Sequence, residues 1–255
     1  MMVNHNFWRQ YIFFPERELW WWPEDYGLKY KEVWFRTSDR IRLYGWWIPK
    51  GTHALLFAHG NGGNISYRVD IAAKFSKHGL SVFLFDYRGY GKSEGDPTEQ
   101  GTYQDAEAAL RYLRTKLKIP LSRIVPVGES MGGAIVIELC THYDFPAAVL
   151  ISPGVSLARI MSHLYPRHKL RNKFAGIYDS TEKISKVRSP IMIIHGDADE
   201  LVPFGHGKEL FRKAKTSKVF YRIRGAGHND IYEVGGERFF RSIREFVNLN
   251  CRKEA

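Results

Sequence analysis

Residues 124–139 read Ile-Val-Pro-Val-Gly-Glu-Ser-Met-Gly-Gly-Ala-Ile-Val-Ile-Glu-Leu, and no other stretch constrains the fold as strongly. A short β-branched run ends at Gly128 and a helix-compatible apolar run opens after Gly133. Between them lies Gly-Glu-Ser-Met-Gly, the G-x-S-x-G pattern of a serine on a sharp strand-to-helix turn. Such a turn strains the serine backbone and crowds its neighbours, which explains the flanking glycines. It lifts the Ser130 hydroxyl above the strand ends at a helix N-terminus, where free N–H groups can stabilise a developing oxyanion. A surface turn with an incidental serine is the plainer alternative, and the predicted strand before and helix after argue against it.

The rest of the chain repeats the strand–helix rhythm. Lys31–Thr37 and Ile41–Pro49 read as a hairpin turning at Ser38-Asp39-Arg40. The apolar runs 54–58, 80–85, 147–151, 191–194 and 219–223 read as buried strands. Helices are expected between them: after Ser66 as cap, then 103–117, 134–139, 207–214 and 238–249. The expected fold class is α/β, with a mainly parallel central sheet, helices on both faces and antiparallel strands at the N-terminal edge. Pro126 cannot donate to a ladder, so a local gap in pairing is expected there. With 255 residues, one domain over 1–255 is expected, with a short lid at 156–186 where the rhythm breaks. That segment carries Arg159, Arg167, Lys169, Arg171 and Lys173 before any acidic residue.

The candidate chemistry follows from what comes after each strand. A serine hydroxyl needs a base, and the base needs an orienting acid. Ser130, an aspartate and His228 occur in that order, each just past a predicted strand, where ligands bind in open parallel sheets. Asp199 is the favoured acid; Asp197, directly after Gly196, is expected to cap the turn. His59 and His195 end strands before glycines and are read as loop braces. The oxyanion donors expected are the backbone N–H groups of Met131 and Asn61. Gly60-Asn61-Gly62-Gly63 lacks the lysine of a phosphate loop and the spacing of a dinucleotide fingerprint. No zinc spacing appears, and Asp197-x-Asp199 lacks the rest of a calcium loop.

A net charge of +11, from 38 Lys+Arg against 27 Asp+Glu, would suit an anionic membrane surface, acidic substrates or nucleic acid. No nucleic-acid motif accompanies it, so no nucleic-acid partner is expected. Two cysteines, Cys140 and Cys251, make no disulfide framework and agree with a reducing, cytoplasmic setting. Residues 1–29 are aromatic, and all seven tryptophans occur by Trp47. Phe7, Trp8, Tyr11 and Ile12 can share one helical face, which either lies on a membrane or packs on protein; packing is favoured. No apolar run there is long enough for a signal sequence or a span.

Taken in order, His59-Gly60-Asn61-Gly62-Gly63-Asn64, Asp86-Tyr87-Arg88-Gly89-Tyr90-Gly91-Lys92-Ser93, Gly128 to Gly133, His195 to Asp199 and Gly225-Ala226-Gly227-His228 resemble the α/β-hydrolase superfamily. Within it they resemble the bud-emergence-type branch of protein depalmitoylases and bacterial esterases. The resemblance implies a cofactor-free serine hydrolase with Ser130, Asp199 and His228 in the matching positions. The activity so expected is hydrolysis of carboxylic esters or thioesters, on a small-molecule or lipid-like acyl substrate. Amide, peptide or carbon–carbon hydrolysis on the same fold is the alternative, and a non-catalytic scaffold a third. Many members carry an N-terminal membrane anchor; here only the short aromatic segment stands in that place, and peripheral contact with anionic membrane is the corresponding expectation.

Overall fold

The computed structural model describes residues 12–168 and 170–251, the side chain of Leu170 excepted. Phe7, Trp8, Tyr11 and Lys169 lie outside the described residues. The chain divides into two compact units, Met1–Ile119 and Pro120–Ala255.

In the first unit, β1 (Phe14–Pro15) is followed by β2 (Lys31–Arg36), β3 (Arg42–Ile48), β4 (Ala54–Ala58), β5 (Gly62–Gly63) and β6 (Ser81–Phe85). The β2–β3 hairpin is antiparallel, with Arg36 opposite Arg42. It closes at the expected place, with Arg40 at φ 69°. β3 pairs antiparallel with β6, and β6 pairs parallel with β4. Both β4 and β6 are buried at every residue, as their unbroken apolar runs require. Helix α1 (Val69–Lys77) packs on β6, and α2 (Glu99–Thr115) on β2 and β4. The cap ahead of α1 is Asn64, not Ser66: a 3₁₀ turn, Ile65–Arg68, comes first, and the Asn64 side chain accepts from Ser66 N–H. Ser66 Oγ instead accepts from Trp20 N–H. Helix α2 starts four residues earlier than its apolar pattern, because Thr98 caps it through Gly101 N–H, a contact worth about 1 kcal/mol.

Residues 12–18 are laced to two loops of this unit. β1 pairs parallel with β5. Asn64 Nδ2 donates to the carbonyls of Glu16 and Glu18. Gly91 N–H donates to Glu16 O, and Arg17 donates to the carbonyls of Gly91 and Ser93. Ile12 and Phe13 are buried, whereas Phe14, Trp20 and Trp21 are exposed.

In the second unit, β7 (Ile124–Glu129), β8 (Ala148–Ile151), β9 (Ile191–Gly196) and β10 (Lys218–Ile223) form an all-parallel run in sequence order. The β7–β8 register begins at Val127, the residue after Pro126, so the proline sits where that ladder asks nothing of its nitrogen. Helix α3 (Met131–His142) packs on β7 and β8. Between β8 and β9 the chain holds α4 (Leu157–Leu164) and short 3₁₀ turns at 166–168, 170–172 and 183–186. α5 (Gly205–Lys213) and α6 (Ile231–Cys251) pack on β9 and β10. α6 is longer than its apolar pattern and is kinked at Gly236. Across both units parallel pairings outnumber antiparallel ones. Among the described residues no helix is long and apolar enough to cross a membrane.

Candidate active site

The turn after β7 is as tight as its glycines suggest. A side chain on Gly128 would meet the backbone of Gly132 at 2.3 Å, and one on Gly133 would meet Pro153 at 3.1 Å. Ser130 has φ 52° and ψ −114°, a conformation that costs a non-glycine residue about 1–3 kcal/mol. Two backbone bonds hold it there: Ser130 N–H to Ile151 O and Gly133 N–H to Ser130 O. Helix α3 begins at the next residue, Met131, so the serine stands at the positive end of the helix dipole.

Asp199 and His228 lie in the turns that follow β9 and β10. His228 Nε2 is 3.0 Å from Ser130 Oγ, and its Nδ1 is 2.8 Å from Asp199 Oδ2. The structure therefore brings together the three residues singled out from sequence order. Asp199 is also bonded by the chain beneath it, its Oδ1 accepting from the N–H groups of Leu201 and Val202. Burial alone would raise the Asp199 carboxyl. Hydrogen bonds from His195 and His228, the charge on His228 and the Val202 amide outweigh it and hold the group well below the usual carboxylate range.

The other candidates have partners of their own. Asp197 Oδ1 accepts from Gly225 N–H and Oδ2 from Arg222 Nε, so it ties the turn after β9 to the end of β10. Asn61, in the first unit, has its side chain committed to that unit: Nδ2 donates to Ile12 O, and Oδ1 accepts from Tyr90. His59 and Asp86, also in the first unit, are wholly buried with Nε2 and Oδ1 3.7 Å apart, beyond hydrogen-bonding range. Among the described residues no group of His, Cys, Asp and Glu could hold a metal ion.

His195 is the residue whose place the sequence reading missed. Its Nε2 lies 2.8 Å from Val202 O and 3.2 Å from Asp199 Oδ2. It is a brace, as expected, but the loop it braces carries the candidate acid. The available signal was the i, i+4 spacing of His195 and Asp199 across a turn.

A serine on a strand-to-helix turn, with an acid and a histidine following later parallel strands, defines the α/β-hydrolase class. The chain belongs to that superfamily. The sequence model of the family described as "Serine aminopeptidase, S33" matches residues 49–183. An uncharacterized protein of Mycobacterium tuberculosis is 37% identical over 221 residues, spanning 85% of this chain and 79% of its own. Human α/β hydrolase domain-containing protein 17B is 33% identical over 220 residues, spanning 84% of this chain and 73% of its own. Among solved structures, an esterase of Pyrococcus furiosus superposes with a TM-score of 0.81 at 23% identity, covering 94% of this chain and 97% of the esterase. At that identity the likeness speaks for the fold.

Proposed function

We propose that the chain is a serine hydrolase that cleaves carboxylic esters or thioesters through an acyl-enzyme on Ser130, within the depalmitoylase- and esterase-like branch its motifs resemble. The observation that carries this reading is the continuous line from Ser130 Oγ through both nitrogens of His228 to Asp199. His228 takes the hydroxyl proton as Ser130 attacks the acyl carbonyl. Asp199 orients the ring and stabilises its charged form. The developing oxyanion is met by the Met131 N–H, with the Asn61 N–H as the proposed second donor. His228 then protonates the leaving alcohol or thiol. It next takes a proton from water, whose attack on the acyl-enzyme releases the acid and restores Ser130. No step calls on a cofactor.

The matching family description, a serine aminopeptidase, keeps amide hydrolysis as the second reading. One experiment separates them. A fluorophosphonate probe should label wild type at Ser130 and leave Ser130→Ala unlabelled. Matched esters, thioesters and amides of graded acyl length should then be turned over, with esters and thioesters faster. Equal turnover by Ser130→Ala defeats the mechanism, and faster amide turnover favours the second reading.

The proposed substrate is lipid-like, and the proposed setting is cytoplasmic with peripheral contact at anionic membrane. Support comes from the segment between β8 and β9, read here as a short lid. It has no Asp or Glu from 156 to 178. Arg167, Arg171 and Lys173 are exposed beside exposed Leu164 and Tyr165. Each basic residue near an anionic surface adds on the order of 1 kcal/mol. Anionic vesicles should therefore co-sediment the protein more than neutral ones do, and salt should weaken the difference. Equal binding to both at low salt rejects the membrane contact.

A further inference from the structure

Two imidazoles converge on one carboxylate oxygen. Asp199 Oδ2 faces His228 Nδ1 at 2.8 Å and His195 Nε2 at 3.2 Å, while Oδ1 is held by two backbone amides. His195 is wholly buried and cannot reach a substrate. Its Nε2–H donates to Val202 O at 2.8 Å, and Asp199 Oδ2 lies 3.2 Å from the same nitrogen. Its Nδ1 has no hydrogen-bond partner. A side chain at Gly207 would come within 2.5 Å of that atom, and Phe204 packs edge-on against the ring. The ring is thus walled in, with its single donor on Val202 O and the candidate acid 3.2 Å from the same nitrogen.

We propose that His195 is a positioning residue for the catalytic acid. Its shared Nε2–H keeps Asp199 Oδ2 turned toward His228 and divides the carboxylate's charge between two imidazoles. This rests on the triad reading above. A carboxylate free of His195 concentrates its charge on His228 and holds the His228 proton more tightly, so the base is released only at higher pH. The Asp199 carboxyl, which burial would raise, is instead lowered with His195 and His228 both contributing, which agrees with this. The other charged and titratable groups around the three residues are His206, Glu209, Arg159, His163 and Arg222, with Glu200 and Asp230 beside Gly227. His206 feels the charge of His195, an effect that both replacements below remove alike.

The test compares pH profiles of kcat/KM for wild type, His195→Phe and His195→Gln on a small soluble ester. Phenylalanine fills the space without a donor. Glutamine can set an amide N–H where Nε2 lies. For a hydrogen bond to a charged group, His195→Phe should lose about ten- to a hundredfold in kcat/KM, mostly in kcat. Its acid limb should move to higher pH, and His195→Gln should recover both. An acid limb that overlays wild type, or a glutamine variant no better than phenylalanine, overturns the proposal and leaves a loop brace. Wild type that neither turns over ester nor labels at Ser130 overturns the triad reading itself. Should His195→Phe fail to fold, NMR on wild type decides. The His195 Nε2–H resonance should shift with the His228 titration, and a resonance silent through that titration overturns the proposal.

Discussion

Each unit holds a buried aspartate facing histidine, Asp86 with His59 in the first and Asp199 with His195 and His228 in the second, and the two are opposites. Asp199 receives two backbone amides and faces two imidazoles, and it stays ionised. Asp86 receives one amide, from Ile65, on Oδ1; its Oδ2 has no partner, and neither does Nε2 of His59. Burial pushes the Asp86 carboxyl up to about 8, against the pull of the Ile65 amide and Arg17. Burial, with the charge of Arg68, drives His59 down to about 3, despite its bond to Gly60 O. Near neutral pH both His59 and Asp86 are therefore uncharged, and their pairing is one of packing rather than charge. The number of donors, more than depth of burial or residue type, decides which aspartate can serve as an anion.

Breaking the second unit's pair should have the largest effect. His228→Ala and Ser130→Ala should each lower kcat on a soluble ester by about a thousandfold or more while the protein stays folded. Their double mutant should be scarcely worse than either, because residues that act as a unit do not add. A double mutant worse by the product of the two losses would mean they act separately.

Changing each aspartate to asparagine sharpens the contrast. Asp199→Asn should cost about 10³- to 10⁴-fold in kcat, since the amide misdirects the imidazole. Asp86→Asn should change kcat by no more than a few-fold, because it swaps one neutral group for another. Comparable losses in the two variants would mean that Asp86 works as an anion after all.

Stability should separate them by sign. The folded pKa of Asp86 is raised, so its contribution is present in acid and fades as pH climbs from the ordinary carboxylate range to about 8. The folded pKa of Asp199 is depressed, so its contribution is present above the ordinary carboxylate range and fades as pH falls below it. Melting curves of Asp86→Asn should thus gain on wild type as pH rises toward 8, and those of Asp199→Asn should draw level with wild type in acid. Parallel curves across pH would contradict both assignments. The smallest effect belongs to Asp197→Asn, which loosens a surface bond to Arg222 and should leave kcat within a few-fold.

Much of this was legible in the sequence, for identifiable reasons. The β4 and β6 runs and the β2–β3 turn follow from local patterning, and Gly128 and Gly133 announce a turn too tight for side chains. Chain order pointed to Ser130, an aspartate after β9 and His228, because successive parallel strands deliver their following turns to one edge; the place of Asp197 directly after Gly196 favoured Asp199 as the acid. What stayed hidden depends on contacts distant in sequence or on atom-level direction. The bond from Ser66 Oγ to Trp20 N–H removed an expected cap. Asn64 serves both as that cap and as a tie to residues 16 and 18. The i, i+4 spacing of His195 and Asp199 hints that the two meet, but the atoms His195 Nε2 faces are set by how residues 197–202 fold back.

The stitching of residues 12–18 has a consequence for the order of events during synthesis. This stretch leaves the ribosome before its partners, Asn61, Asn64, Gly91 and Ser93, which follow 46 to 76 residues later. At about 5–20 residues per second, roughly 4 to 15 seconds pass before the last of them exists. Through that interval the segment's amides and carbonyls can bond only to water or to passing neighbours. Its docking therefore waits on both loops and cannot precede the synthesis of Ser93.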